Sequence, residues 1–113
     1  MHELSIVLSI VDQVQKEVFK LEATAVKRIE LDIGILAGIE FDSFDFAWEP
    51  ATKNTVLQHA ERIVNHIPAM AVCVDCNHVF EKEKPYDACP KCGNYLHQLT
   101  SGRELKIKSI LIV

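Results

Sequence analysis

The chain has no excess of basic residues, no long apolar run and no repeated or low-complexity segment. Its 12 Lys and Arg residues face 16 Asp and Glu residues, a net charge of −4, which argues against a nucleic-acid partner. The longest apolar runs, such as residues 110–113, fall far short of the roughly 20 residues that cross a membrane as a helix. The first residues also lack the basic start and unbroken apolar core of a signal peptide. We therefore expect a cytoplasmic protein.

The chain contains four cysteines, and the common sequence patterns of catalysis are missing. Because cytoplasmic thiols stay reduced, the four cysteines are better read as metal ligands than as disulfides. No Ser/His/Asp order and no phosphate-binding glycine loop occurs, so nothing in the sequence indicates an enzyme. A length of 113 residues, of which 49% are hydrophobic and 25% charged, is typical of one folded domain, or of one domain with a small insert.

Apolar residues recur at helical spacing over residues 4–21 and predict a helix of about five turns. Apolar and charged residues then alternate over residues 28–35, which predicts a half-buried strand. A second helix should follow, with Asp42 or Ser43 as its N-cap. Pro50 should bend or end this helix, because it cannot donate a backbone hydrogen bond.

The order of the remaining segments indicates an insertion. A second strand is predicted around residues 61–67, and strand alternation returns after residue 103, but all four cysteines lie between these two segments. The predicted fold is therefore α+β, a small sheet with two helices and a four-cysteine zinc-ribbon module inserted before the last strand. We expect residues 1–68 plus 104–113 to form one domain and residues 69–103 to form the inserted one.

The four cysteines form two C-x2-C pairs, Cys73 with Cys76 and Cys89 with Cys92. Four thiolates at this spacing can surround one tetrahedral zinc ion, and no ligand position is left open for catalysis. Two disulfides or a rubredoxin-type iron site are the alternatives, since thiolates also suit iron. Residues 69–103 carry four basic and four acidic residues, so the module lacks the basic surface of a nucleic-acid ribbon.

The chain begins Met1-His2-Glu3, which can form an unusual metal site. If the His2 amide loses its proton, it can chelate a metal together with the Met1 amine and the His2 imidazole, and the Glu3 amide can complete a planar set of nitrogens. Such a donor set suits Ni(II) or Cu(II) better than zinc. Two residues are a weak motif, and taken alone they fit a solvated terminal histidine better than a metal site.

These features occur together in one known family. Met1-His2-Glu3-Leu4-Ser5, the strand end Ile33-Gly34, the double C-x2-C module and the closing segment from Gly102-Arg103 to Ile110 resemble the HypA/HybF family of nickel metallochaperones of hydrogenase maturation. The resemblance covers essentially the whole chain.

The resemblance implies a function and a set of ligands. His2 would bind nickel with the Met1 amine and the amides of His2 and Glu3, while Glu3 would support the site and Glu40 would be a further candidate. The ligands of a structural zinc ion would be Cys73, Cys76, Cys89 and Cys92. The expected partners are the GTPase HypB and the hydrogenase large-subunit precursor, with urease maturation proteins as candidates because some relatives also serve urease.

Two positions depart from the family pattern. Ile35 stands where many relatives have an acidic residue, and Pro50 interrupts a helix that relatives usually continue. Neither position carries a proposed ligand. The competing interpretation is a zinc-ribbon adaptor or nucleic-acid accessory protein with an inert amino terminus. His97, between the module and the last strand, would approach the amino terminus only if the module folds back.

Overall fold

The computed structural model describes residues 2–113, which form two helices and two small sheets. In chain order the elements are α1 (His2–Lys20), β1 (Val26–Gly34), α2 (Phe41–Thr52), β2 (Glu61–Ile67), β3 (Ala69–Cys73), β4 (Val79–Lys82), β5 (His97–Leu99) and β6 (Leu105–Ile112). One sheet has the strand order β2-β1-β6 and the other β4-β3-β5. The predicted α+β class is therefore confirmed. The three short strands β3, β4 and β5 were not predicted individually.

The described chain divides into two compact units. The first contains the chain up to Leu31 together with Ile39–Val64 and Ile107–Val113. The second contains Asp32–Gly38 and Asn65–Lys106, and it includes all four cysteines.

The first unit is built around the apolar face of α1. Five residues of this helix at helical spacing are buried: Val7, Ile10, Val11, Val14 and Val18. Helix α2 packs against α1 and contributes the fully buried Phe44. Burying side chains of this size contributes about 1.5–3 kcal/mol each, so this unit has a hydrocarbon core of its own.

One prediction about α2 is wrong. Its N-cap is Glu40, not Asp42 or Ser43, because the longer Glu40 side chain reaches the backbone N–H groups of both those residues. The helix runs through Pro50 and ends at Thr52. Since Pro50 lies in the last turn, its missing N–H removes only the bond to the carbonyl of Phe46.

The second unit has a much smaller core. One buried cluster contains Ala71, Cys73, Phe80 and Cys89, with Cys76 and Leu99 packed against it; Ile33 and Ala69 are also buried in this unit. Strand β3 pairs antiparallel with both β4 and β5, so that Ala71 is opposite Phe80 on one side and Leu99 on the other. Two of the four residues of this cluster are cysteines, so a metal ion held there would supply much of the cohesion of this unit.

Gly34 allows a close backbone contact within the second unit. Its N–H donates to the carbonyl of Glu104 at 2.7 Å, and the N–H of Leu36 donates to the carbonyl of Gly102 at 2.7 Å. A Cβ at position 34 would lie 2.0 Å from the Gly102 carbonyl oxygen. Only glycine fits there, which gives a physical reason for the Ile33-Gly34 and Gly102-Arg103 motifs.

Candidate metal centres

The cysteine cluster (Cys73, Cys76, Cys89 and Cys92) is one of two candidate metal centres. Its four sulfur atoms all lie within 4.8 Å of one another. The Sγ atoms of Cys73 and Cys92 are 3.5 Å apart, and those of Cys76 and Cys89 are 3.7 Å apart. Four sulfurs bound tetrahedrally at about 2.3 Å would be separated by about 3.8 Å. The cluster thus fits a single tetrahedral ion, and the cysteines are not joined as disulfides.

Two left-handed turns bring the sulfurs together. After the first pair, Asn77 has a φ of 58°, and after the second pair Gly93 has a φ of 78°. In each turn the N–H of this residue donates to the carbonyl of the first cysteine, Cys73 or Cys89, at 3.0 and 2.8 Å. Asparagine and glycine tolerate this conformation better than other residues, so the residue type at each position suits its turn.

The thiols differ in how readily they lose a proton. Burial acts to raise the pKa of Cys89, but hydrogen bonds from the backbone amides of Cys92 and Lys91 lower it to about 7. The amide of Asn94 favours the Cys92 thiolate, but the hydrogen bond shared with Cys73, together with burial, raises the pKa of Cys92 to about 12. A metal ion that binds all four thiolates must therefore displace protons.

A buried lysine supports the same unit, and it was not predicted from the sequence. The side chain of Lys82 is 1% exposed, and its Nζ donates to the Pro85 carbonyl at 2.5 Å. It also lies 2.6 Å from Nε2 of His97, whose Nδ1 is 2.8 Å from the Tyr95 carbonyl. Because an ammonium group only donates, Nε2 must accept and Nδ1 must carry the proton. Both ring nitrogens of His97 are thus occupied inside the second unit.

One signal could have revealed this lysine. The alternation of β4 places Lys82 on the same side of the strand as Phe80, and both are buried. His78 and His97 flank the Phe80 ring, one stacked at 6.2 Å and the other edge-on at 6.0 Å. His78 therefore packs beside the cluster. His59 and His66 are exposed on the first and second units respectively.

The second candidate centre is the amino-terminal cluster (His2, Glu3 and Glu40), which lies within the first unit. Nε2 of His2 lies 3.3 Å from Oε2 of Glu3; the His2 side chain is 62% exposed and that of Glu3 is 5% exposed. The same oxygen of Glu3 accepts a hydrogen bond of 3.2 Å from the backbone N–H of Glu40. The structure thus brings together three residues singled out in the sequence. Met1, the fourth, lies outside the described residues.

The two carboxylates of this cluster are both held ionised by hydrogen bonds. Such bonds lower the pKa of Glu3 to about 2, although burial acts in the opposite direction. The hydroxyl and amide of Ser43, followed by the amide of Asp42, lower the pKa of Glu40. The Glu40 carboxylate is thus engaged in capping α2. Two negative charges at the start of two helices are favoured by the helix dipoles and would attract a cation.

The fold and the cysteine cluster together define a small α+β protein of a metal-binding class. Residues 1–112 match the family model described as "Hydrogenase/urease nickel incorporation, metallochaperone, hypA". The chain belongs to this HypA family. The resemblance noted in the sequence is therefore confirmed.

Individual relatives agree with this assignment. The chain is 39% identical over 112 residues to the hydrogenase maturation factor HypA of Parabacteroides distasonis, covering 99% of this chain and 97% of that one. It is 36% identical over 110 residues to HypA of Azotobacter vinelandii, with 97% of each covered. The solution structure of the Ni metallochaperone HypA from Helicobacter pylori superposes with a TM-score of 0.69 at 26% identity, covering 100% of this chain and 98% of that one.

Across the described residues, neither helix is both long and apolar enough to cross a membrane.

Proposed function

We propose that this chain carries Ni(II) at its amino terminus as cargo for hydrogenase maturation. Nickel would be bound by the His2 imidazole, the Met1 amine and the backbone amides of His2 and Glu3. The observation that carries the proposal is the meeting of His2, Glu3 and Glu40 at the start of α1. An exposed site at a chain end makes ligand exchange with a partner sterically easy.

The geometry around His2 supports this ligand set. The six-membered chelate ring with the His2 amide would use Nδ1, while Nε2 faces the Glu3 carboxylate at 3.3 Å. A carboxylate on the second ring nitrogen fixes the tautomer and raises the basicity of the ligating nitrogen. Glu3 would thus act mainly on His2 and on the charge of the site, and Glu40 would hold Glu3 through its amide and remain a further candidate ligand.

The position of the amides at the start of a helix also helps. The first four N–H groups of a helix have no acceptor within it, and α1 begins at His2. A metal could therefore take the place of amide protons at residues 2 and 3 without breaking helical hydrogen bonds. The helix dipole opposes a cation there, but deprotonated amides and the buried Glu3 carboxylate would offset it.

The cysteine cluster would hold zinc as a structural ion. All four ligands come from the chain, and a closed tetrathiolate leaves no position open for a substrate. Zinc would thus add the cohesion that the small core of the second unit lacks. In this assignment residues 1–68 with 104–113 are the nickel-binding domain, and residues 69–103 are the inserted zinc-binding domain.

Delivery would depend on protein partners, not on catalysis by this chain. We infer that a HypB-type GTPase and the hydrogenase large-subunit precursor are those partners, with urease maturation proteins as further candidates, and that the transfer takes place in the cytoplasm. Two metals in one small protein would be kept apart by donor type and geometry, nitrogen for nickel and sulfur for zinc.

The decisive experiment modifies the amino group without touching any side chain. Protein with the native start is compared with protein acetylated at Met1 and with protein extended by two residues, using nickel titration and calorimetry. Both modified forms should lose high-affinity nickel while keeping their zinc. Equal nickel affinity in all three forms would exclude the amino-terminal chelate.

A further inference from the structure

A groove of about 470 Å³ lies between the first turns of α1 and the exposed side of α2, within the first unit. Apolar side chains form most of its wall: Leu4, Phe46, Ala47 and Pro50. Glu3, Asp42 and Ser43 line the rest. The groove therefore combines a carbon surface with acidic groups.

The apolar wall is unusually open to solvent. Phe46 is 86% exposed, whereas Phe44, two residues earlier on the same helix, is fully buried. Leu4 is 46% exposed, and Leu8, one helical turn further along α1, is 50% exposed. Leaving a phenylalanine in water forgoes the favourable free energy of burying its ring. A cluster of exposed apolar residues beside a candidate site is typical of an interaction surface.

The charged side chains that line the groove are acidic. Among the described residues of its wall, Glu3 and Asp42 are acidic and none is basic. The sequence of α2 contains Asp42, Asp45 and Glu49 and no lysine, arginine or histidine. Asp45 is paired with Arg62 at 2.7 Å. Asp42 lines the groove and is exposed. Glu49 is also exposed; it lines a separate cavity but follows Phe46 by one helical turn on α2. An acidic rim around an apolar floor is complementary to an apolar side chain flanked by basic ones.

Glu3 connects the groove to the amino-terminal cluster. Its carboxylate lines the groove and also lies 3.3 Å from the His2 ring. A segment seated in the groove would therefore place its own side chains next to the nickel ligands. Ligand exchange requires such proximity, since a metal passes between proteins only while donors from both are within bonding distance.

We propose that this groove docks a cationic amphipathic segment of the partner GTPase, with one large apolar residue against Phe46 and a lysine or arginine near Asp42 and Glu49, which lie one helical turn before and after Phe46 on α2. This inference rests on the proposed function and specifies which surface, and which partner chemistry, serves the exchange.

The chain offers a matched control for the apolar contact. Phe46 and Phe19 are both 86% exposed, but Phe19 is near the end of α1 and does not line the groove. Binding of the GTPase from the same organism is measured by calorimetry for the unsubstituted chain, Phe46→Ser and Phe19→Ser. Loss of a central aromatic anchor should weaken binding about 30-fold or more for Phe46→Ser. Phe19→Ser should change it less than about twofold.

A second pair of variants tests the charge. Glu49→Lys should weaken GTPase binding about fivefold at low salt, with the effect fading as salt is raised. Glu17→Lys, an exposed glutamate on α1, is the control. Because Phe46, Phe19, Glu49 and Glu17 are all exposed, the variants should keep the unfolding temperature of the unsubstituted chain.

Nickel titration of the same proteins separates the two proposals. All four variants should bind nickel like the unsubstituted chain, because none alters the amino-terminal cluster. If nickel binding is normal but Phe46→Ser and Phe19→Ser bind the GTPase equally well, the docking proposal fails and the proposed function stands. Absence of any GTPase binding by the unsubstituted chain also overturns the docking proposal. Absence of nickel binding at the native start overturns the proposed function.

Discussion

The two candidate metal centres differ in almost every physical respect. The cysteine cluster offers four sulfurs within 4.8 Å, and two of its cysteines belong to the buried core of the second unit. The amino-terminal cluster offers nitrogen and oxygen around a histidine that is 62% exposed, on a unit with an independent hydrocarbon core. In the assignment proposed above, the cysteine cluster would retain an ion on which its unit depends for folding, whereas the amino-terminal cluster would release an ion while its unit stays folded.

This contrast explains how one small chain could bind two different metals, each at its own site. Affinity alone would not do so, because many divalent ions bind a given nitrogen or sulfur site in the same order of strength. A closed thiolate cage selects a tetrahedral ion, while adjacent backbone and imidazole nitrogens favour a planar one. Each prediction below tests whether the two metals are bound independently at the two sites.

The largest effect should follow from removing one sulfur. Cys73→Ser should abolish zinc binding and unfold the second unit, because structural zinc contributes about 10–16 kcal/mol in isolated zinc-finger peptides. The helical circular dichroism signal of α1 and α2 should largely remain, since their core is separate. Zinc analysis and limited proteolysis of residues 69–103 would test this, with the exposed Lys91→Ala as a control. A folded, protease-resistant module without zinc would refute the structural role.

His2→Ala should remove nickel and leave zinc in place, the reverse of Cys73→Ser. High-affinity nickel binding should disappear, because the imidazole closes the chelate, while zinc content stays at the level of the unsubstituted chain. Metal analysis after nickel loading and desalting gives both quantities in one experiment. His59→Ala, which changes an exposed histidine of the same unit, should leave both metals in place. Retention of nickel by His2→Ala would show that the site lies elsewhere.

Nickel binding should also weaken as the solution becomes more acidic. The amine and the imidazole bind nickel only in their unprotonated forms, and each ligated amide must give up a proton. Every proton displaced on binding lowers the affinity about tenfold per pH unit. Between pH 8 and pH 6 we therefore expect a fall of about 100-fold or more in the nickel association constant. A constant affinity over this range, measured by titration in non-chelating buffers, would contradict deprotonated amides as ligands.

A smaller effect is expected from Glu3→Gln, which keeps the size of the side chain and removes its charge. Substituting a group that orients a metal-bound histidine typically costs about 10- to 100-fold in affinity. We expect a loss in this range, with the planar nickel absorption spectrum unchanged, if Glu3 acts through His2. A change in the spectrum would instead show that the Glu3 carboxylate binds nickel directly.

Much of this architecture follows from local pattern. The helical spacing of α1, the alternation in β1, β2 and β6, and the paired cysteines predicted elements that the structure contains. These signals lie within single segments. The prediction that failed depends on how far a side chain reaches, and the contacts that were not predicted depend on residues distant in the sequence. Glu40 is the N-cap of α2 because its carboxylate accepts hydrogen bonds from the amides of Asp42 and Ser43, although glutamate is not among the usual capping residues.

The same limit applies to the sites. Residue types and spacing selected Cys73, Cys76, Cys89 and Cys92, and the structure gathers them into one cluster. The contact between the Glu3 carboxylate and the Glu40 amide joins positions 37 residues apart, so only the fold reveals it. Lys82 looked like one more surface charge because nothing local shows that His97 and Pro85 lie within reach of its Nζ.

The smallest effect should come from that lysine, and it tests whether the second unit depends on metal alone. Lys82→Met preserves the length of the side chain but leaves the Pro85 carbonyl and His97 Nε2 without their donor. Both acceptors are only partly buried, so losing their donor should make unfolding of the zinc-loaded unit easier by about 1 kcal/mol. Chelator-induced unfolding would measure this, with the exposed Lys84→Met as a control. If Lys82→Met and Lys84→Met unfold alike, the metal alone determines the stability of the second unit and the contacts of Lys82 add nothing to it. The two units would then differ more than the structure alone indicates.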